Sequence, residues 1–201
     1  LLLRLHDPAE RRKLLDETDA REYDAASIRA RAGLVTSEAS LFNDTVFQNV
    51  ALGLKVATLS EVENACKSVG AHAFIEALPE GYQTLLGEWG FSLSAGQRQK
   101  IALARVLLKN PELVVLDEAT AHLDGPAEKE VLAALETVLA GRTVVTITHA
   151  LRAVSAADAV AVISGGRVVE RGTHAELLRA QGLYRRLFDL EAATLPAAER
   201  P

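Results

Sequence analysis

The chain has no methionine, a single cysteine and no long apolar run among its 201 residues. Cys66 cannot form a disulfide within the chain, which fits a reducing compartment, and we expect it to be a small buried side chain. The apolar stretches are broken by charge or glycine well short of the ~20 residues that cross a bilayer. Leu1–Leu5 is predicted to be the end of a helix that is closed by Asp7 and Pro8. It shows no signal-peptide pattern and no initiating methionine, so we expect the N-terminus of this sequence to have been cut.

A cationic region is also lacking. Lys and Arg number 22 against 27 Asp and Glu, which gives a net charge of -5, and the two signs are interspersed. Without a polybasic arm the chain gains no electrostatic attraction to nucleic acid, so we expect no nucleic-acid partner. The 49% apolar content suits a buried core in one large domain, or in a core with a modest subdomain.

Strand-like and helix-like segments alternate along most of the chain. Short apolar or β-branched runs predict strands at 33–35, 113–116, 143–147 and 159–163. Short helices are predicted at 45–52, 61–69 and 71–78, where they indicate a helical insertion. The alternation predicts an α/β fold with a mostly parallel sheet, whose functional loops lie at the C-terminal ends of the strands.

The segment Ala95–Lys109 is predicted to be a helix whose start carries a phosphate-binding signal. Ser94 is its N-cap, Gln97 completes a capping box, and Asn110 with Pro111 ends it. A helix that starts after small residues presents free backbone N–H groups and the positive end of its dipole, which bind phosphate. Capping boxes are common, so this feature alone is equally compatible with a structural role.

Two carboxylates follow a buried strand. Asp117 and Glu118 end the apolar run Leu113–Leu116, where α/β folds place their chemistry. A metal ion and an attacking water need such groups, and the pair beside a phosphate-binding helix indicates nucleotide hydrolysis. A lone histidine is more often structural, but His149 follows strand 143–147 at the same predicted sheet edge, which favours contact with a terminal phosphate.

The order of these motifs resembles the ATPase, or nucleotide-binding, domain of ABC transporters from Leu1 to about Leu190. The similarity is to the exporter type, in which this domain is fused behind a transmembrane domain. Four stretches carry the resemblance: the signature motif Leu93–Gln97, the Walker B strand with its glutamate Leu113–Glu118, the D-loop Ala121–Asp124 and the switch histidine His149. Four such motifs in this order are hard to produce by accident.

The resemblance implies a P-loop NTPase-like α/β fold, in which a mostly parallel sheet has flanking helices and an inserted helical subdomain. It divides the chain into a remnant of the ATPase core at 1–44, the helical subdomain with the signature motif at 45–110, the remaining core at 111–193 and a tail at 194–201. The family's phosphate loop, Gly-x-x-x-x-Gly-Lys-Ser/Thr, lies upstream of the equivalent of Leu1 and does not occur in the 201 residues. We therefore expect the N-terminal strands of the fold to be missing.

The resemblance also implies a site for ATP and Mg²⁺. Asp117 is expected to bind the Mg²⁺ through water and Glu118 to act as the base for the attacking water. His149 would be the second catalytic residue. The residues expected to bind the nucleotide are Ser94, Ala95, Gly96, Gln97 and Asp124.

Partners follow from the same resemblance. A second ABC ATPase domain, identical or different, is expected to pair head to tail with this one, so that each signature helix faces the nucleotide of its partner. Ser94 and Glu118 must then be accessible from the surface. The segments 41–45 and 84–90, the latter with Trp89, would contact the transmembrane domain. The protein would lie at the cytoplasmic face of the membrane, peripherally or through a fused transmembrane domain outside this chain.

The chain departs from its family at several motif positions. Ser37 occupies the Q-loop position, where the family has a metal-binding glutamine, and a serine is too short to reach the metal unless a water bridges the gap. Ala95 replaces a glycine and adds a methyl group where backbone approaches phosphate. Without the phosphate loop we expect no useful ATP affinity for this chain alone.

Three functions remain open from the sequence. The first is the ATPase of an exporter, and Asp117, Glu118 and His149 favour it. The second is a catalytically impaired ABC domain, acting as a structural or regulatory half of a heterodimer or encoded by a decayed gene; Ser37, Ala95 and the absent loop favour it. The third is a soluble ABC protein of DNA repair or translation, against which the acidic balance argues.

Overall fold

The computed structural model describes residues 2–8, 12–15, 17–87, 93–121 and 123–194. The chain forms two compact units, Leu1–Ile147 and Thr148–Pro201. Trp89, His122 and the tail 195–201, each part of a prediction above, lie outside the described residues. In the part of the chain that is described, no helix is long and apolar enough to cross a membrane.

A three-stranded parallel sheet organises the first unit. It consists of β3 (Ala32–Thr36), β4 (Leu113–Asp117) and β5 (Thr143–Ile147), with β4 in the middle. The register aligns Thr36, Asp117 and Ile147, so the three strands end side by side. This confirms the predicted α/β fold with a parallel sheet.

The free edges of this sheet bear on the prediction of missing strands. Among the described residues, β5 pairs with β4 and with no strand on its other side. Upstream lies a separate antiparallel hairpin of β1 (Leu14–Leu15) and β2 (Thr18–Asp19).

A helix tail predicted at Leu1–Leu5 is wrong over the described part, because residues 2–6 form turns and bends.

Side-chain N-caps precede the described helices of the first unit, except the fourth, which has none. Ser94 and Gln97 cap α5 as expected, Thr58 and Glu61 form a second capping box at α3, and Asn110 ends α5 in a left-handed conformation. The bounds are α1 Ala25–Ala30, α2 Val46–Val50, α3 Leu59–Ser68, α4 His72–Glu76, α5 Ala95–Lys109 and α6 Gly125–Leu139.

One apolar core joins the sheet to the inserted helices. Val35 and Val114 of the sheet share it with Ile75, Ile101 and Leu103 of the helices, all of them fully buried. Cys66 also lies in this core, as predicted, and burial raises the pKa of its thiol to about 12. The long helix α5 contacts β3, α2, α3 and α6, so it is the central element of the unit.

Hydrogen bonds from the side chains of Asn49 and Arg105 fix the loop before α2. The Asn49 side chain accepts the Phe42 N–H at 2.8 Å and donates to the Phe42 carbonyl at 3.0 Å. The Arg105 guanidinium, on α5, donates to the backbone carbonyls of Asn49 and Ser40 at 2.8 and 3.2 Å. Burial lowers the pKa of Arg105. These bonds hold the segment 40–45 against the helix that starts at Ser94.

Gly33 gives a direct test of how closely α5 packs on β3. A Cβ at this position would lie 2.8 Å from Val106 Cγ1 and 3.0 Å from Pro111 Cγ. We expect Gly33→Ala to lower the free energy of unfolding by about 1–3 kcal/mol through overpacking. Gly125→Ala is the matched control, since its Cβ would meet nothing within 4 Å. Urea unfolding of both variants measures the difference, and an equal stability for the two would contradict this packing.

The second unit is a hairpin covered by helices. Strands β6 (Val160–Ser164) and β7 (Arg167–Gly172) pair antiparallel, and α7 (His174–Ala180) and α8 (Leu183–Thr194) follow. Val162, Leu177 and Tyr184 form its core. The Tyr184 hydroxyl lies 2.7 Å from His174 Nδ1. The predicted strand 159–163 is therefore present, and the strand with which it is paired is β7.

Candidate functional site

The C-terminal edge of the parallel sheet carries the two predicted carboxylates. Asp117 is the last residue of β4 and its side chain is exposed, whereas Glu118 directly follows and is half-buried. In an open α/β sheet this edge is where ligands bind. The requirement that Glu118 be accessible from the surface is therefore met.

The backbone of Glu118 has an unusual conformation. Its φ is +51°, in the left-handed region that side-chain-bearing residues rarely adopt. Backbone hydrogen bonds hold it on both sides: the Glu118 N–H donates to the Ile147 carbonyl at 2.9 Å, and its carbonyl accepts the Ala121 N–H at 2.9 Å. Such residues persist only where the surrounding structure holds them in place, and they cluster at functional sites.

The start of α5 is built as the sequence predicts. The Ser94 N–H donates to Gln97 Oε1 at 2.9 Å, and the Gln97 N–H donates to Ser94 Oγ at 3.2 Å. Ser94 and Ala95 are exposed. The N–H groups of Ala95 and Gly96 precede the first intrahelical hydrogen bond, so the helix offers them no acceptor. The exposed Ala95, at the start of a 15-residue helix, can therefore offer its amide to an anion, whereas Gly96 is buried.

Gly96 and Asp124 have structural roles that the motif did not predict. A Cβ on Gly96 would lie 3.0 Å from Ala127 Cβ, so glycine allows α5 to approach the first turn of α6. Asp124 is exposed and caps α6, its Oδ1 accepting the Ala127 N–H at 2.9 Å. Ala127, in the first turn of α6, thus lies close to Gly96 and donates its N–H to Asp124.

Ser37 directly follows β3 and is half-buried. Because Thr36 and Asp117 are aligned in the register, Ser37 and Glu118 are the first residues beyond neighbouring strand ends. The Thr36 hydroxyl donates to the Glu38 carbonyl at 2.8 Å, which turns the backbone at this point. Ser37 therefore lies at the same sheet edge as Glu118.

His149 belongs to the second unit. It is exposed and lies two residues beyond the end of β5. Asp117, Glu118, Ser94 and Ser37 belong to the first unit. The role of His149 at a phosphate stays a prediction.

The donor set suits a magnesium ion only together with a nucleotide. The described residues include no group of three or more His, Cys, Asp or Glu side chains that could hold a metal ion. Mg²⁺ commonly uses one or two carboxylates, several waters and the phosphates of the substrate. The exposed carboxylate of Asp117 fits such a partial set, with its remaining ligands supplied by water and phosphate.

The two segments predicted to face a transmembrane domain lie side by side. Thr45 and Leu85 form an isolated β-bridge, and the Leu86 N–H donates to the Asp44 carbonyl at 3.1 Å. Phe42 and Leu85 are large apolar residues that are 54% and 67% exposed. We call these two residues the Phe42–Leu85 patch. Residues 88–90 of the second segment lie outside the described residues.

One polar residue beside the site was not predicted from the sequence. Gln99, on α5, is 1% exposed. Its Nε2 donates to the Thr36 carbonyl at 3.0 Å and to the Ala119 carbonyl at 2.7 Å. The acceptors lie 63 and 20 residues away, so no local pattern could have indicated these bonds.

Proteins named as ABC transporters, export proteins or flippases are similar to the chain along nearly its whole length. It is 44% identical over 192 residues to ABC transporter B family member 19 of Arabidopsis thaliana. It is 41% identical over 191 residues to the putative multidrug export ATP-binding/permease protein YgaD of Bacillus subtilis. It is 45% identical over 192 residues to the ATP-dependent lipid A-core flippase of Thiobacillus denitrificans. Each match covers 95% of this chain, but 15%, 33% and 33% of the relative, respectively.

A solved structure of a bacterial Atm1-family ABC exporter with ATP bound matches 98% of this chain, with a TM-score of 0.88 and 39% sequence identity. The match covers 34% of that exporter chain. The sequence model of the ABC transporter family matches residues 1–121, more than half of the chain. The chain therefore belongs to the ABC transporter family and corresponds to the ATPase domain of its exporter type.

Proposed function

We propose that this chain supplies the ATP-hydrolysing domain of a membrane exporter and works by ATP-dependent pairing with a second ABC ATPase domain. One observation carries the proposal. Glu118, in a left-handed conformation, lies next to the exposed Asp117 at the C-terminal edge of the parallel sheet. A carboxylate held so unusually beside a second one is suited to orient a water for attack on a phosphate.

Each residue then has a distinct task. Glu118 would orient the attacking water and take its proton, and Asp117 would hold Mg²⁺ through water. Bound Mg²⁺ would neutralise the charge that develops on the phosphates. Ser37, at the neighbouring strand end, would contact this metal only through water because its side chain is short. His149 would donate a hydrogen bond to the terminal phosphate.

The exposed start of α5 completes the site of a partner. A single helix N-terminus is a weak anion site, so Ser94, Ala95, Gly96 and Gln97 alone would hold ATP poorly. Two half-sites that close on the same triphosphate instead form a dimer that exists only while ATP is bound. The exposure of Ser94 and Asp124 supports this arrangement, since both would lie at the junction between the two domains.

The Phe42–Leu85 patch is proposed as the contact with the transmembrane domain. Exposed aromatic and aliphatic side chains are common at protein–protein contacts, and Phe42 and Leu85 lie on two segments that pair with each other. The hydrogen bonds of Asn49 and Arg105 connect the segment that carries Phe42 to α5, so displacement of the signature helix would move the patch. The ATPase domain would accordingly lie at the cytoplasmic face of the membrane.

An impaired domain is the second candidate function. Ser37 and Ala95 replace a glutamine and a glycine of the family pattern. Such a domain would keep the fold and pair with an active partner without turning over ATP itself. Turnover that depends on Glu118 separates the two functions.

ATP-dependent pairing can be tested directly. The extended chain, meaning this chain preceded by a family segment that carries a phosphate loop, should double its mass in light scattering when a non-hydrolysable ATP analogue and Mg²⁺ are added. Ser94→Asp should prevent the doubling, because aspartate still caps the helix while its charge repels phosphate. Thr58→Asp adds the same charge at the exposed N-cap of α3 and should have no effect. An unchanged mass with nucleotide in the unsubstituted chain would contradict the proposal.

A further inference from the structure

A single buried amide connects three parts of the proposed site. Gln99 lies on α5, five residues after Ser94, which is about 7.5 Å along the helix axis. One of its acceptors, the Thr36 carbonyl, is at the end of β3 directly before Ser37. The other, the Ala119 carbonyl, directly follows Glu118. The side chain therefore bridges the signature helix and two neighbouring strand ends.

Both acceptors require an N–H donor. Each is a backbone carbonyl oxygen, and the Gln99 amide nitrogen has one hydrogen for each of them. A buried carbonyl that loses its donor is costly, and a carboxylate in place of the amide would put negative oxygen against two carbonyl oxygens. Glutamine therefore fits this position in a way that neither an apolar residue of similar length nor glutamate does.

The Ala119 bond restrains the backbone beside Glu118. The left-handed φ of Glu118 is unfavourable for a residue with a side chain, so its neighbours must hold it. Described bonds attach its own N–H to Ile147 and its carbonyl to Ala121. The bond from Gln99 Nε2 to the Ala119 carbonyl fixes the peptide between Ala119 and Thr120, and this restraint comes from the signature helix.

We propose that Gln99 is a positioning residue, which couples the signature helix to Glu118 by holding the backbone at Thr36 and Ala119. When the nucleotide of a partner binds at Ser94 and displaces the start of α5, the displacement is transmitted through the Gln99 amide to the carboxylate of Glu118, which orients water. The coupling rests on the proposed function of Glu118, but the restraint on the backbone does not. The two can therefore be measured separately.

The restraint is measured by hydrogen exchange of the 201-residue chain. In Gln99→Met, which keeps the side-chain length and removes both donors, peptides that cover 117–121 should exchange faster than in the unsubstituted chain. The second half of α5 should be unchanged. Gln181→Glu, at an exposed position in the second unit, is the control and should exchange normally at 117–121. Unchanged exchange at 117–121 in Gln99→Met would overturn the proposed restraint.

The coupling is measured by ATP turnover in the extended chain. For Gln99→Glu and Gln99→Met we expect kcat per folded molecule to fall about a hundredfold while KM for ATP stays within about threefold, since a small displacement of the base affects only the chemical step. Gln181→Glu should keep both values. Loss of folded protein with an unchanged kcat per folded molecule would reduce Gln99 to a core residue and overturn the coupling.

The two measurements distinguish failure of the inference from failure of the proposed function. If the unsubstituted extended chain does not hydrolyse ATP, the proposed function fails and with it the coupling, while the exchange result still decides the restraint. If it hydrolyses ATP and the Gln99 variants keep their kcat, the proposed function stands and the coupling is wrong.

Discussion

Substitution of Glu118 by glutamine should reduce kcat of the extended chain by about 10²–10⁴-fold, the usual contribution of a general base. The side chains have the same shape, but an amide cannot accept the proton of the attacking water. ATP binding should be unaffected, because Glu118 acts on the water and has no role in holding the nucleotide. Phosphate release measured at saturating Mg-ATP gives kcat, and nucleotide titration gives the affinity.

Glu112→Gln is the matched control for this substitution. Glu112 directly precedes β4, so it lies at the opposite end of the strand, and its side chain is 74% exposed. Its ion pair with Arg31 spans 3.7 Å between two exposed side chains, and such pairs contribute little. Equal kcat values for Glu118→Gln and Glu112→Gln would exclude Glu118 as the base and favour the impaired domain.

The second large effect is the loss of ATP affinity in the chain alone. Charge-assisted hydrogen bonds contribute roughly 1.5–3 kcal/mol each, and a phosphate loop supplies about four of them. Their absence should weaken binding by about 10⁴-fold or more relative to the extended chain. Isothermal titration should detect no binding at micromolar ATP for the 201-residue chain and clear binding for the extended chain.

The control for this comparison is the extended chain with the loop lysine replaced by alanine. Its affinity for ATP should fall between those of the 201-residue chain and the extended chain. A micromolar dissociation constant for the 201-residue chain itself would contradict the expectation. It would also mean that the start of α5, or another surface of this chain, binds triphosphate without help. The assignment of Ser94 to a partner's nucleotide would then have to be abandoned.

Local signals account for what the sequence could predict. The bounds of α5 follow from Ser94, Gln97 and Asn110, whose effects reach no further than one helical turn. The position of Asp117 and Glu118 follows from a short apolar strand, because the side chains after such a strand lie at the sheet edge. These features need no knowledge of distant residues.

Features that depend on distant contacts could not be predicted. The left-handed conformation of Glu118 depends on Ile147, in the next strand of the sheet, and the role of Gln99 depends on carbonyls 63 and 20 residues away. Gly96 matched a phosphate motif, yet its close neighbour is Ala127 of another helix. By contrast, the pairing of strand 159–163 with β7 is local and could be predicted, because Gly165 and Gly166 form the two-residue turn between the two strands.

The wrong prediction at Leu1–Leu5 has the same physical origin. A short leucine-rich segment suits a helix by local propensity, but a few residues form too few backbone bonds to be helical without packing. Over the described part, residues 2–6 form turns and bends, and Arg4 has a φ of +49°. Propensity therefore indicated an element that the tertiary structure does not support.

The most direct test of a site shared between two chains is activity in a mixture of two inactive variants of the extended chain. Ser94→Asp and Glu118→Gln should each lack turnover alone. Mixed one to one, they should recover a measurable rate of at most about a quarter of the unsubstituted rate. A mixed dimer carries one site with both an intact Ser94 helix and an intact Glu118, and random pairing would make half of the dimers mixed. A mixture as inactive as its components would contradict a site composed of two chains.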